Sequence, residues 1–455
     1  MIKFRLSKRR NCGQEEFHDY RSAVRRHSDG GLLERTDGRD ERMPSMKCRR
    51  ILALLVVCVS YSLPVSAASG QVSTRQKTIY VNVDFLDEMF RTWHGEKRGV
   101  AATDITNIIR NCKSIGAVGV NWRVAATGMA CHPSRLMADI EYAVEKSQHS
   151  AEIVKRLVAK EKNPIGYLRE DFVAFYRATA KTTPDPLAVA VGASHAEGLK
   201  INFWVDLHDE MFGKFTTEHP ECLVRTPEGG TMPGVRDYGK KTAVAEKIAE
   251  INELFKYQPD GFYLCPSCHS RHFDYHEADG AFGTLSAAKF TDFLRCVRTA
   301  LRPHGFELVM GMSCGGLNFC SPYFSSHVKY RIEHDWKTWV DEKIVDALIV
   351  GDYEILHGYG EDWIPRGVTR AGVREPAEVF LPECVKYVRG RIPLYGFSTW
   401  LTSKNMKVVM DRNTEDVLKY GLDGMVLHEH HTVFFNQGGR EAALDMNERF
   451  RKVEE

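Results

Sequence analysis

The chain has 455 residues, a formal net charge of +2, 43% hydrophobic and 27% charged residues. That balance is ordinary for a globular protein, and it supplies no electrostatic reason to bind nucleic acid or an anionic membrane. The length suits one large domain or two smaller ones and does not need a disulfide framework to hold a core.

Residues 1–45 are rich in Arg, Asp, Glu, Gly and Ser with little apolar periodicity, and read as disordered or as a mis-annotated upstream extension. From Met46, "MKCRRILALLVVCVSYSLPVSAASG" has a basic start (Lys47, Arg49, Arg50), an apolar core from Ile51 to Leu63 and a small-residue cleavage pattern, Val65-Ser66-Ala67. The apolar run is too short to span a bilayer, so residues 46–67 are expected to be a signal peptide. The mature chain then starts near Ala68 and is secreted or periplasmic, with no membrane insertion after cleavage. Removal of Cys12, Cys48 and Cys58 leaves nine cysteines, an odd number that guarantees a free or intermolecular thiol.

Apolar segments then recur in order: Thr78–Phe85, Ala117–Val124, Lys200–Leu207, Gly261–Pro266, Phe306–Ser313, Ala347–Glu354, Ile392–Trp400 and Gly424–His431. Helical patterns separate them. "ITNIIRNCKSIG" puts Ile105, Ile108, Ile109 and Cys112 on one face and ends at Gly116, and "TAVAEKIAEINELFKY" and "AAKFTDFLRCVRTALRPHG" behave likewise. Continuous apolar strands alternating with amphipathic helices predict a parallel sheet covered by helices. Eight units predict an α/β fold of the (β/α)₈ TIM-barrel type over residues 75–455. An open doubly wound sheet is the alternative, but no glycine-rich phosphate loop follows Phe85. Residues 125–199 are far too many for one crossover, which predicts a helical insertion after the second strand, at about 131–195.

In such a barrel, side chains where strands end converge on the mouth. Here they are Asp84, with Asp87 and Glu88 beyond it; Asn121 and Arg123; Asp206, His208, Asp209 and Glu210; Cys265, Cys268 and His269; Asp352 and Glu354; Trp400; and His428, Glu429, His430 and His431. Individually, such acids can cap helices and a Trp can simply pack. Together they match what glycosidic-bond cleavage needs: one acid to protonate the leaving oxygen and one carboxylate to attack or to activate water. The strand period puts His428 and His430 on one face and Glu429 and His431 on the other, which argues against a metal cluster. No metal and no cofactor is expected.

A resemblance enters with "GLKINFWVDLHDEMFGKFTTEHPECLVRTPEGGTMPGVRDYGKKTAVAEKIAEINELFKYQPDGFYL", together with "NWRV", "HPSRLM" and "CHSRHFDYHEADGAFG". These stretches resemble the bacterial family-10-like glycosyl hydrolases, secreted barrels, over most of Thr78 to His431. The resemblance implies a carbohydrate substrate. Better known retaining glycosidases of this fold carry their acids on strands four and seven, where this chain has Cys265 and Ser398-Thr399-Trp400, so those positions do not transfer. The expected catalytic residues are therefore Glu429 and Glu354, then Asp206 and Asp352. Arg123, His269, Trp400, Glu210, Asn121 and Asp84 are expected to bind substrate. A carbohydrate-binding barrel without catalysis is the alternative.

Cys265-Pro-Ser-Cys268-His269 has the spelling of a c-type haem attachment site, and an exported haem or metal protein is a third reading. A filled barrel leaves no room for haem, and Cys265, Cys268, His269 and His272 are too compressed for the common zinc spacing. A local disulfide or two separate thiols fits the cysteines better. The resemblance then gives His269 a sugar-contacting or proton-transferring role.

Overall fold

The computed structural model describes residues 76–93, 98–149, 168, 170–225, 231–266, 287–312, 335–350, 376–398 and 406–452. All lie in one compact unit, Gly70–Glu455. The upstream extension and the signal segment fall outside the described residues.

Among the described residues, eight parallel strands close into a barrel in chain order: β1 (Thr78–Val83), β2 (Gly119–Arg123), β3 (Lys200–Asp206), β4 (Gly261–Cys265), β5 (Glu307–Met312), β6 (Ala347–Val350), β7 (Leu394–Ser398) and β8 (Gly424–His428), with β8 pairing back onto β1. This is the (β/α)₈ TIM barrel that the alternating pattern predicts. Both sheet faces are buried, which is why the strands read as unbroken apolar runs. Tyr80, Trp204, Tyr263, Cys265, Val309, Ala347, Ile349, Phe397 and Val426 form an interior cluster of their own. The intervening residues, such as Ile79, Val81 and Val83, join the larger cluster that includes buried residues of the surrounding helices.

Helix α1 (Ala102–Ser114) buries Ile105, Ile108, Ile109 and Cys112, the face its spacing predicts. Asp104 caps its start by accepting from the Ala101 N–H at 2.8 Å. Gly116, at φ +80°, ends it, and a Cβ there would collide with Asn447.

After β2, a short hairpin (Ala125–Ala126 with Met129–Ala130) leads to α2 (Ile140–His149), α3 (Glu170–Thr182) and α4 (Pro186–Ala196). The last of these packs on α1, β2 and β3, so it is the barrel's own helix. The insertion therefore ends before Pro186 and not near His195. Helix α3 docks beside the start of α1: Thr179 Oγ1 accepts from the Val100 N–H at 3.0 Å, and Thr183 Oγ1 donates to the Val100 carbonyl at 2.8 Å. Gly99 permits this approach, because a Cβ there would lie 2.6 Å from the Ala178 carbonyl carbon. Since α1 begins where the β1 loop ends, α3 sits on the C-terminal side of the barrel.

The remaining described helices are α5 (Lys241–Leu254), α6 (Ala287–Leu301), α7 (Trp336–Asp341), α8 (Pro376–Val388), α9 (Met406–Tyr420), α10 (His430–Phe435) and α11 (Gly439–Lys452). No helix among the described residues is long and apolar enough to cross a membrane. A cavity of about 380 Å³ lies toward the N-terminal end of the strands, lined by Tyr80, Lys200, Asn202, Glu307 and Tyr395 among others. It is at the opposite end from the strand-end carboxylates.

Candidate functional site

The inward period of the first three strands stacks polar residues toward the C-terminal mouth. Asn82, Asn121 and Asn202 face one another in register across β1, β2 and β3. Asn202 donates to Asn121 at 3.1 Å, and Asn121 donates to Asn82 at 2.9 Å. Asn82 Nδ2 lies 3.4 Å from His428 Nδ1 on β8. All three amides are buried.

One layer further out sits Arg123, 4% exposed. Its Nε–H donates to Asp206 Oδ2 at 2.6 Å, one Nη donates to Asp209 Oδ2 at 2.7 Å, and the other bonds Asp84 Oδ2. The guanidinium lies 5.0 Å from the Trp204 ring, whose Nε1–H donates to the other Asp206 oxygen at 2.8 Å. Asp84 also caps the helical turn Phe85–Glu88, accepting from the Leu86 and Asp87 N–H groups at 3.1 Å. Three buried carboxylates share one guanidinium, so negative charge is in excess. Burial lifts the Asp84 carboxyl to about 6, with Asp87 and Glu429 adding to the rise against the pull of Arg123.

Glu429 follows the last residue of β8 and is buried. His428 Nε2 lies 2.6 Å from its Oε1 and His431 Nδ1 lies 3.1 Å from its Oε2. Burial alone would raise this carboxyl, but His428 and His431 hold it well below the usual range, so it is ionised at neutral pH. Burial would lower His431, yet Glu429, Glu88 and Asp87 outweigh it and lift the imidazole to about 9. The expected strand alternation is corrected here. The strand stops at His428 and α10 starts at His430, so Glu429 meets both His428 and His431. His430 turns instead to Glu88 Oε1, 2.8 Å away and fully buried.

Glu210, expected to touch substrate, is committed elsewhere. Arg236, held on a hairpin strand (Thr231–Arg236), bonds its Oε2, and Lys247 of α5 bonds its Oε1. Glu250 completes the cluster by bonding Arg236 and standing 2.7 Å from Lys247. All four side chains are buried, two acids against two bases, which pins the β3–α5 loop. Glu354, Asp352, His269 and Trp400 lie outside the described residues. So do Cys268 and His272, while the Cys265 side chain belongs to the barrel interior beside Trp204 and Tyr263. Cys112, Cys131, Cys222, Cys296 and Cys384 carry free thiols.

The asparagine row escaped the sequence reading, although it has a signal. "VNV", "VNW" and "INF" each put Asn, a poor strand former, in the middle of an apolar strand, three times in the first three strands.

No protein-family model matches the chain, and no curated protein sequence matches it. Among solved structures it is similar to the endo-1,4-beta-mannanase from Rhizomucor miehei, at 9% identity over 83% of this chain and 95% of that one, with a TM-score of 0.50. A beta-amylase catalytic domain from Paenibacillus polymyxa (9% identity, 82% and 98% covered, TM-score 0.48) and the PgaB (BpsB) glycoside hydrolase domain from Bordetella bronchiseptica (10%, 82% and 98%, 0.46) also align. The likeness is one of fold.

Proposed function

We propose that this barrel hydrolyses glycosidic bonds of a polysaccharide or oligosaccharide at its C-terminal mouth, by paired-carboxylate chemistry. The observation that carries the reading is Glu429: a buried carboxylate at the end of a barrel strand, kept ionised by two imidazoles. An ionised carboxylate can attack the anomeric carbon or activate water, and it cannot serve as the proton donor. Glu354 is the proposed donor, with Asp352 two residues before it in sequence. Asp206 has both oxygens engaged, by Trp204 and Arg123, which suits a fixed charge better than proton transfer. Arg123 accordingly positions Asp84, Asp206 and Asp209, while Asn121 braces Asn82. His269 and Trp400 are proposed sugar contacts. The similarity to a mannanase barrel supports carbohydrate as the substrate class.

The signal-like segment Met46–Ala67 supports export, with the domain over 75–455 acting in the periplasm or outside the cell. Sequencing of the mature N-terminus checks this, and residues upstream of Met46 in the exported protein would refute it. The second reading is a carbohydrate-binding barrel without catalysis, favoured by Cys265 and Ser398 ending strands four and seven, both buried. A glycan panel scored for binding and for new reducing ends decides between the two. Hydrolysis lost in Glu429→Gln supports the first reading, and binding without any new reducing ends supports the second.

A further inference from the structure

We infer that Asp87, Glu429 and His431 form a binding site for a divalent cation of the manganese type, at the mouth between β1 and β8. One oxygen of each carboxylate and a ring nitrogen of His431 all lie within 4.8 Å of one another. Three elements converge to make this set: the helical turn after β1 brings Asp87, the end of β8 brings Glu429, and the first turn of α10 brings His431. Two carboxylates and one imidazole are a mixed hard and borderline donor set, suited to such an ion, and the remaining positions are left for water or substrate oxygens.

Two further observations point to a ligand. Glu429 Oε2 and His431 Nδ1 stand 3.1 Å apart as an ion pair, in which an entering cation takes the place of the His431 proton. Two neighbouring ligands, each roughly 2.1 Å from a shared ion, stand about 3 Å apart, so the spacing is that of a chelating pair. Behind them is Glu88, whose side chain is fully buried. Its Oε1 is 3.9 Å from His431 Nδ1, and its Oε2 has no hydrogen-bond donor among the described residues. A buried carboxylate oxygen without a donor is costly, and a cation beside it lowers that cost. His431 and Asp87 are only partly buried, which leaves an entry path.

The inference goes beyond the proposed hydrolysis and bears on it through Glu429. A carboxylate oxygen bound to a cation is a weaker nucleophile and base, so the loaded form is the silenced one.

Titration of the full mature chain with Mn²⁺, followed by the electron paramagnetic resonance signal of the free ion, tests this without any substrate. The expected result is uptake of one ion per chain, weakened at least about tenfold in His431→Ala and in Asp87→Asn. His219→Ala, at an exposed histidine on another segment, should leave uptake unchanged. Asp87→Asn, at a partly buried position, keeps the test valid if His431→Ala does not fold. No uptake by the wild-type chain, or equal uptake by wild type and Asp87→Asn, overturns the site. Failure to cleave any glycan leaves this result untouched, so the two readings fail separately.

Discussion

The Trp204 indole N–H donates to Asp206 Oδ1 at 2.8 Å, and the two residues stand one strand period apart on β3. One strand thus supplies both a carboxylate and the donor that orients it, while Arg123 from the next strand takes the other oxygen. Replacing Trp204 with Phe keeps most of the ring and leaves a buried carboxylate oxygen without this donor. The expected cost is about 1–3 kcal/mol of stability, read from urea unfolding. A variant as stable as the wild type would show that the bond is dispensable.

Glu429→Gln should abolish most hydrolysis on whichever glycan the panel identifies, by a factor on the order of 10² to 10⁴. The fold should persist, since the amide is nearly isosteric. Glu354→Gln should produce a comparable loss. Near-full turnover in both variants would remove them from the mechanism.

The Glu210–Arg236–Glu250–Lys247 cluster makes the opposite prediction. Arg236→Met strips two buried carboxylates of one partner, which should destabilise the fold by about 3–5 kcal/mol. Activity per folded molecule should change little, because both Glu210 oxygens already serve the loop. A large loss in kcat at unchanged stability would return Glu210 to the substrate.

His132 provides a pH test away from the mouth. Burial pulls its imidazole from 6.5 to about 4, outweighing the nearby Asp185 carboxylate. The unfolded chain therefore takes up a proton between pH 6.5 and 4 that the folded chain refuses. Stability from this group is present above pH 6.5 and is lost as the pH falls toward 4, by at most about 3 kcal/mol. His132→Gln should flatten that decline in urea midpoints measured from pH 7 to 4. Parallel curves for the two proteins would rule out His132 as the source.

The barrel was legible because its signals are local. Apolar runs, the buried face of α1 and the polar residues at strand ends each lie within a few residues of one another. What failed to read out depends on where elements stop or on distant partners. The two-residue alternation that separated Glu429 from His428 holds only within the strand, and β8 ends at His428. Helix α4 looks like the rest of the insertion in sequence, and only its packing on α1 makes it part of the barrel. The partners of Glu210 arrive from a hairpin and a helix further along the chain, and no spacing rule links them.

The asparagine row has a direction. Each amide gives its N–H₂ to the next carbonyl, from Asn202 to Asn121 to Asn82, so the last free N–H₂ faces His428 Nδ1. That nitrogen must then accept, which selects the imidazole tautomer with its proton on Nε2. Nε2 is the atom 2.6 Å from Glu429 Oε1. Turning any one amide end for end would set donor against donor or acceptor against acceptor along the row. Three side chains inside the barrel thereby decide on which side of His428 the proton sits, and hence whether Glu429 receives a hydrogen bond there.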